Sequence, residues 1–153
     1  MVLKAEIEKA YKVQQQLLKV NVKNIRRSFL EDYSPDKKHI EVITGIRRCG
    51  KSTLMKQIIS RYYQKVAYFN FEDSRIFGFD VQDFQKLDEV FPARVDAYFF
   101  DEIQNVNSWE IYIRQLHDRG AKVFITGSNA SLLSKELGTR LTGRHLRHDM
   151  FPF

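Results

Sequence analysis

The chain is short of the residues that staple, break or anchor a fold. Among its 153 residues there is one cysteine, Cys49, which excludes an internal disulfide framework and fits a reducing compartment. No apolar run approaches the ~20 residues needed to cross a bilayer, and the first residues lack the apolar block of a secretory leader. A cytoplasmic protein without a membrane partner is therefore expected. There are no internal repeats and no low-complexity tracts, which argues against a solenoid or a disordered linker. The four histidines, His39, His117, His145 and His148, show no metal-ligand spacing and read as structural or solvated.

What is present is ordinary globular material. Hydrophobic residues make up 43% and charged residues 29%. A chain of this length forms one domain and buries roughly two-thirds of its unfolded surface. The net charge is +6 and the pI is near 9.4. Part of the excess, Arg47, Arg48 and Lys51, lies in one loop where a bound polyanion would offset it. The pairs Arg26–Arg27 and Lys37–Lys38 suit either a nucleic-acid contact or a solvated face.

That loop is the most informative stretch. Gly45-Ile46-Arg47-Arg48-Cys49-Gly50-Lys51-Ser52-Thr53 follows an apolar run, Ile40 to Ile43, and opens onto the helical pattern Leu54, Met55, Ile58, Ile59. Glycine, four residues, then Gly-Lys-Ser is the phosphate-loop pattern in the strand–loop–helix setting it requires. Gly45 and Gly50 let the backbone curl so that N–H groups converge on phosphate oxygens, and the positive end of the next helix faces the same anion. Lys51 supplies a mobile charge for the β- and γ-phosphates, and the Ser52 hydroxyl suits Mg²⁺. All nine residues are candidate ligands of a nucleoside triphosphate.

Further elements follow from periodicity. Residues 2–18 place Leu3, Ile7, Ala10 and Leu17 at helical spacing, with Gln14, Gln15 and Gln16 on a polar side. A weaker helical stretch runs to about Leu30, and Ser34-Pro35-Asp36 breaks it. The leading helical region either packs beside a bound base or caps the sheet. The helix after the phosphate loop runs to about Tyr63, and a strand spans Val66 to Phe71. Asp80 caps a short helix carrying Phe84, Leu87 and Val90, which Pro92 closes. Asn107 and Glu110 form a capping box for a helix with Trp109, Ile113 and Leu116 on one face, Trp109 being core. Lys122 to Thr126 is a buried strand, Ser131 to Leu137 a helix ended by Gly138, and His145 to Phe151 a fifth strand.

A second chemical signal stands after Ala97-Tyr98-Phe99-Phe100, a continuous apolar run that ends in Asp101-Glu102. Buried parallel strands read as such runs, and ligands sit beyond their carboxyl ends. Asp101 is placed to hold Mg²⁺ with Ser52. Glu102, expected on the opposite face of the strand, is free to deprotonate a water. Ser128 and Asn129 end the next strand, where either hydrogen-bonds the γ-phosphate or the attacking water, or else caps the following helix.

The order GIRRCGKST, YFNFED, AYFFDEIQ, FITGSN, TRLTGRH resembles the AAA+ ATPases, and most closely the prokaryotic group with a GxRRxGKS loop. The resemblance runs from about Glu41 to the last residue. It implies an α/β, three-layer P-loop NTPase core: a parallel five-stranded sheet in the order 5-1-4-3-2 with helices on both faces. On this basis residues 1–35 form an N-terminal helical segment packed on the core, and 36–153 the ATPase core.

The resemblance also implies the chemistry: ATP bound with Mg²⁺ and hydrolysed. Lys51 and Ser52 take the Walker A positions, and Asp101 and Glu102 the Walker B positions. Ser128 and Asn129 fall at sensor 1. Asn70 and Glu72 lie where related ATPases restrain the catalytic glutamate. Arg140 or Arg144 stands where such proteins donate an arginine finger to a neighbouring subunit, so a homo-oligomer acting on a DNA or protein client is implied. The family continues past this point into a helical lid and usually a nuclease-like domain, so the Phe153 end is expected to be a truncation. An alternative is a nucleotide-binding assembly or signalling module with little hydrolysis.

Overall fold

Five stretches of five residues pair in parallel to form the centre of the molecule; four are dominated by β-branched, aromatic or aliphatic side chains, and the fifth, an edge strand, is mostly polar. They are β1 (Ile40–Thr44), β2 (Val66–Asn70), β3 (Ala97–Asp101), β4 (Val123–Gly127) and β5 (His145–Asp149). The sheet order is β2-β3-β4-β1-β5, the order expected from the sequence, read from the other edge. This is a computed structural model, and it describes residues 1–18, 33–45, 50–128 and 143–149. The helical stretch expected up to Leu30, the helix over 131–137 and the end of the fifth strand lie outside the described residues.

Helices cover both faces. Helix α2 (Lys51–Tyr62) lays Leu54, Met55 and Ile58 against Ile43, Tyr68, Phe99 and Phe124. Helices α3 (Phe84–Val90) and α4 (Trp109–Asp118) pack Phe84, Leu87, Ile113 and Leu116 on the opposite face, over Val42, Phe69, Phe100 and Ile125. The strand period of two sorts these residues: Phe99 and Asp101 point towards α2, Phe100 away from it. Trp109 is buried in this second layer, as expected.

Helix α1 (Lys4–Leu18) buries Ile7, Ala10 and Gln14, while Leu3 and Leu17 stand in solvent, 68% and 58% exposed. Of the three glutamines expected to form a polar outer side, Gln16 is exposed, but Gln14 and Gln15 instead face the sheet. The Gln14 side-chain amide accepts from the Asn70 backbone N–H (2.8 Å) and donates to the Asn70 carbonyl (3.0 Å), while Gln15 donates to the Tyr68 carbonyl (3.1 Å). In a parallel sheet alternate residues of an edge strand offer their backbone groups outward. Gln14 and Gln15 satisfy three of those of β2, the Asn70 N–H and the Asn70 and Tyr68 carbonyls, so α1 caps the carboxyl half of the sheet edge.

Two local expectations change. The Asn107–Glu110 box does not form: α4 begins after Ser108, which sits at φ 60° without a side-chain cap bond, and Glu110 is buried. Asp80 does cap, but it caps one turn of 3₁₀ helix, Val81–Asp83, that leads into α3.

β1 is not uniformly apolar. Glu41 is 1% exposed and points to the α2 side, towards the amino end of the sheet. Lys122 Nζ lies 2.7 Å from its Oε2, while Tyr33 Oη (2.5 Å) and His148 Nε2 (3.0 Å) meet its Oε1. Lys122 also reaches Asp36 (3.2 Å) and donates to the His39 carbonyl (2.8 Å). Burial pushes the Glu41 carboxyl up, but the bonds from His148, Lys122 and Tyr33 outweigh it and hold it below the usual glutamate range.

Candidate nucleotide site at the carboxyl end of the sheet

β1, β4 and β3 lie side by side and end at one level, each followed by a residue of interest: Gly45, Ser128 and Glu102. β1 leads towards α2, whose N-cap, Gly50, sits at φ 93° in the left-handed region that glycine enters without penalty. Gly50 contributes no side-chain cap and no acid stands in the first turn, so the helix sets no negative charge of its own against its positive end. Ile46, Arg47, Arg48 and Cys49 lie outside the described residues.

Lys51 is 4% exposed and turns inward over the sheet. Its Nζ donates to the Gly45 carbonyl (3.0 Å) and to Ser128 Oγ (3.3 Å), and lies 3.5 Å from Glu102 Oε1. Ser52, one residue on, donates to Asp101 Oδ2 at 2.6 Å. Thr53 follows in the same first turn, half-buried. The sequence-predicted loop lysine and serine thus each meet one member of the acidic pair.

Asp101 is fully buried and collects three hydroxyls: Ser52 and Tyr68 (2.8 Å) on Oδ2, Thr126 (2.5 Å) on Oδ1. Glu102 does not continue the strand onto the opposite face. It sits at φ 54°, ψ 48°, a left-handed position that turns the chain into the 3₁₀ segment Ile103–Asn105. Thr126 Oγ1 accepts the Glu102 N–H (2.9 Å) while donating to Asp101, so one hydroxyl fixes both acids. The turn brings the Glu102 carboxylate back to Ser128, whose N–H (3.1 Å) and Oγ (2.6 Å) donate to it, and to Gln104 Nε2 at 2.7 Å. Burial pushes the Glu102 carboxyl up, but Ser128, Gln104 and Lys51 together hold it below its ordinary value. Burial, with Asp101 alongside, pushes the Tyr68 phenol well up, so it stays a donor.

Ser128 therefore touches both Lys51 and Glu102, the placement that suits a polar group at the reacting end of a phosphate. Asn129 and Arg140 lie outside the described residues. Arg144 is not brought to this site: its carbonyl accepts from Ile40 N–H at the start of β1, about 16 Å of strand away from Gly45. Asn70 bonds within its own turn, accepting from the Glu72 N–H, and to Gln14, so Glu102 is restrained by Ser128 and Gln104 instead.

Tyr68, Thr126 and Gln104 were not singled out in the sequence. For Thr126 a signal existed, since Phe100 pairs with Ile125 and the next residues, Asp101 and Thr126, must be neighbours once the strand order is given. Tyr68 carries a hydroxyl in a run of strand residues, two positions before the register point where Asn70 meets Asp101.

The donor set fits a magnesium nucleotide. Ser52 and Asp101 offer hard oxygens within one hydrogen bond of each other, and Lys51 and the glycine-led start of α2 offer the cation and the positive helix end that a polyphosphate needs. A parallel sheet with a glycine-headed helix at the end of its inner strand, and an acid ending another, defines the P-loop NTPase class of α/β fold. The AAA domain family matches residues 37–153, and the chain belongs to it. It is 40% identical over 116 residues to an uncharacterised protein of Methanocaldococcus jannaschii, covering 74% of this chain and 26% of that one. It is 38% identical over 128 residues to an uncharacterised protein of Haemophilus influenzae, covering 76% and 32% respectively. The chain thus spans about a third or less of the length of these relatives. Among the described residues no helix is long and apolar enough to cross a membrane.

Proposed function

We propose that this chain binds ATP with Mg²⁺ and hydrolyses it, as a cytoplasmic module of the AAA group with the GxRRxGKS loop. The observation that carries the reading is the double pairing of Lys51 with Glu102 and Ser52 with Asp101 at one end of the sheet. Lys51 exchanges the Gly45 carbonyl for β- and γ-phosphate oxygens, and the N–H groups at the start of α2 hold the same anion. Ser52 and Asp101 hold the metal, which when bound neutralises charge on the phosphates. Tyr68 and Thr126 fix the Asp101 carboxylate for that task. Glu102 takes a proton from the attacking water, and Ser128, with Asn129 beside it in sequence, orients water or γ-phosphate.

With the site in this arrangement, Glu102 is engaged by Ser128, Gln104 and Lys51, which supports slow turnover by an isolated protomer. Arg144 or Arg140, donated by a neighbouring copy, supplies the missing charge in a homo-oligomer, a contribution of about 10³–10⁵-fold. The energy is directed to a DNA or protein client. The same engagement of Glu102 favours, as a second reading, an ATP-binding assembly or signalling module.

The direct test is nucleotide binding by Lys51→Ala. Loss of a charged phosphate contact worth about 1.5–3 kcal/mol should weaken Mg-ATP binding roughly 10- to 150-fold without unfolding the protein. Unchanged affinity would remove the phosphate assignment.

A further inference from the structure

Gln104 occupies the middle of the 3₁₀ turn that Glu102 opens. The turn is pinned on both sides: Ile103 is fully buried, Asn105 N–H donates to the Glu102 carbonyl (3.2 Å), and Asn105 Nδ2 donates to the Phe71 carbonyl (3.3 Å). The Gln104 side chain is thereby folded back onto Glu102, its Nε2 donating to Oε2 at 2.7 Å. Its other end is the anomaly. Oε1 is shielded from solvent and accepts no hydrogen bond.

The amide cannot relieve this by turning over, because that would set its oxygen against the Glu102 carboxylate, acceptor to acceptor. A shielded acceptor left unpaired is destabilising unless a water or ligand completes it. The acceptor stands beside the group proposed to take a proton from water, and a water has two hydrogens to place.

We propose that Gln104 is a second holder of the attacking water. One water hydrogen goes to Glu102 and the other to Gln104 Oε1, which leaves an oxygen lone pair directed at the γ-phosphorus. The new bond is water oxygen to γ-phosphorus. The bond broken joins γ-phosphorus to the bridging oxygen of ADP, and the proton is left on Glu102. Gln104 Nε2 meanwhile keeps the carboxylate from rotating. This assignment rests on the ATPase reading above.

The test compares wild type, Glu102→Gln, Gln104→Met and Gln104→Lys in the full chain. Each is measured for kcat, for affinity towards a non-hydrolysable ATP analogue, for retention of ADP–aluminium fluoride, and for thermal unfolding. Gln104→Met keeps the volume and loses both polar ends. It should lower kcat about 10- to 100-fold and weaken the ADP–aluminium fluoride complex by a similar factor. Analogue affinity should stay as in wild type, and the melting temperature should not fall, since the variant also removes an unpaired acceptor. Gln104→Lys retains a donor for Glu102 but has no acceptor, and should be equally slow. In the Glu102→Gln background Gln104→Met should add nothing.

Wild-type kcat in Gln104→Met, or recovery in Gln104→Lys, would overturn the proposal and leave Gln104 at most a positioning residue. A matched fall in analogue affinity or stability would overturn it too. Those outcomes leave the ATPase reading standing whenever wild type turns over and Glu102→Gln does not. Absent wild-type turnover sinks that reading, and Gln104's part with it.

Discussion

Two glutamate–lysine pairs sit at opposite ends of one sheet, and they are built differently. At the amino end Lys122 stands 2.7 Å from Glu41, and Tyr33 and His148 complete the carboxylate. At the carboxyl end Lys51 stands 3.5 Å from Glu102 and is bonded to a carbonyl and a serine hydroxyl. The first lysine also donates to a carbonyl, that of His39, but it stands between two carboxylates, Glu41 and Asp36, at 2.7 and 3.2 Å. The second is parked among partners it can leave. The amino-end pair links β1 to the start of β4 at 2.7 Å, whereas the carboxyl-end pair, which on the proposed reading opens to admit a phosphate, stands at 3.5 Å. Burial and charge alone do not separate them, since all four side chains are less than a tenth exposed.

The contrast can be broken at each end. The largest effect is expected at Glu102: Glu102→Gln should cut ATP turnover by about 10²–10⁴-fold while leaving ATP affinity and stability near wild type. Turnover that survives the change would make Glu102 as structural as Glu41. Next comes Lys122→Met, which strands a buried carboxylate and should cost about 3–5 kcal/mol in urea unfolding, with nucleotide affinity retained in the folded fraction. A cost within 0.5 kcal/mol, the usual range for a surface change, would mean that the amino-end pair is not a fastening.

The smallest effect concerns acid. Glu41 titrates below its ordinary value in the fold, so the unfolded chain binds more protons and stability must fall as pH drops through about 4.5 and below. Glu41→Gln should flatten that part of the stability–pH curve. Glu102 shifts in the same direction, so Glu102→Gln should flatten the curve as well, and the acid range in which stability is lost should narrow furthest when both are replaced.

Much of the carboxyl end was legible because its residues announce themselves locally. A glycine pair at fixed spacing and an acid closing an apolar run need no knowledge of distant partners, and the strand order follows from the family those motifs resemble. The conformation of Glu102 was not legible, because strand alternation was carried one residue too far. The left-handed turn depends on Thr126, 24 residues later, which accepts the Glu102 N–H. The Glu41 cluster was hidden for a related reason: its partners come from Tyr33, Lys122 and His148, and a lone acid in a short apolar run carries no mark of them. At Ser108 the expected capping box competed with a backbone turn and lost.

The glutamine clasp of α1 has a bearing on how the protein is handled. The family match starts at residue 37, so a fragment cut to that boundary would discard Gln14 and Gln15 and lay bare the Asn70 amide and the Asn70 and Tyr68 carbonyls of β2. An unsealed strand margin recruits other strands. Such a fragment would gather into aggregates through β2 although every motif of the nucleotide site was still on it, and its inactivity would say nothing about catalysis.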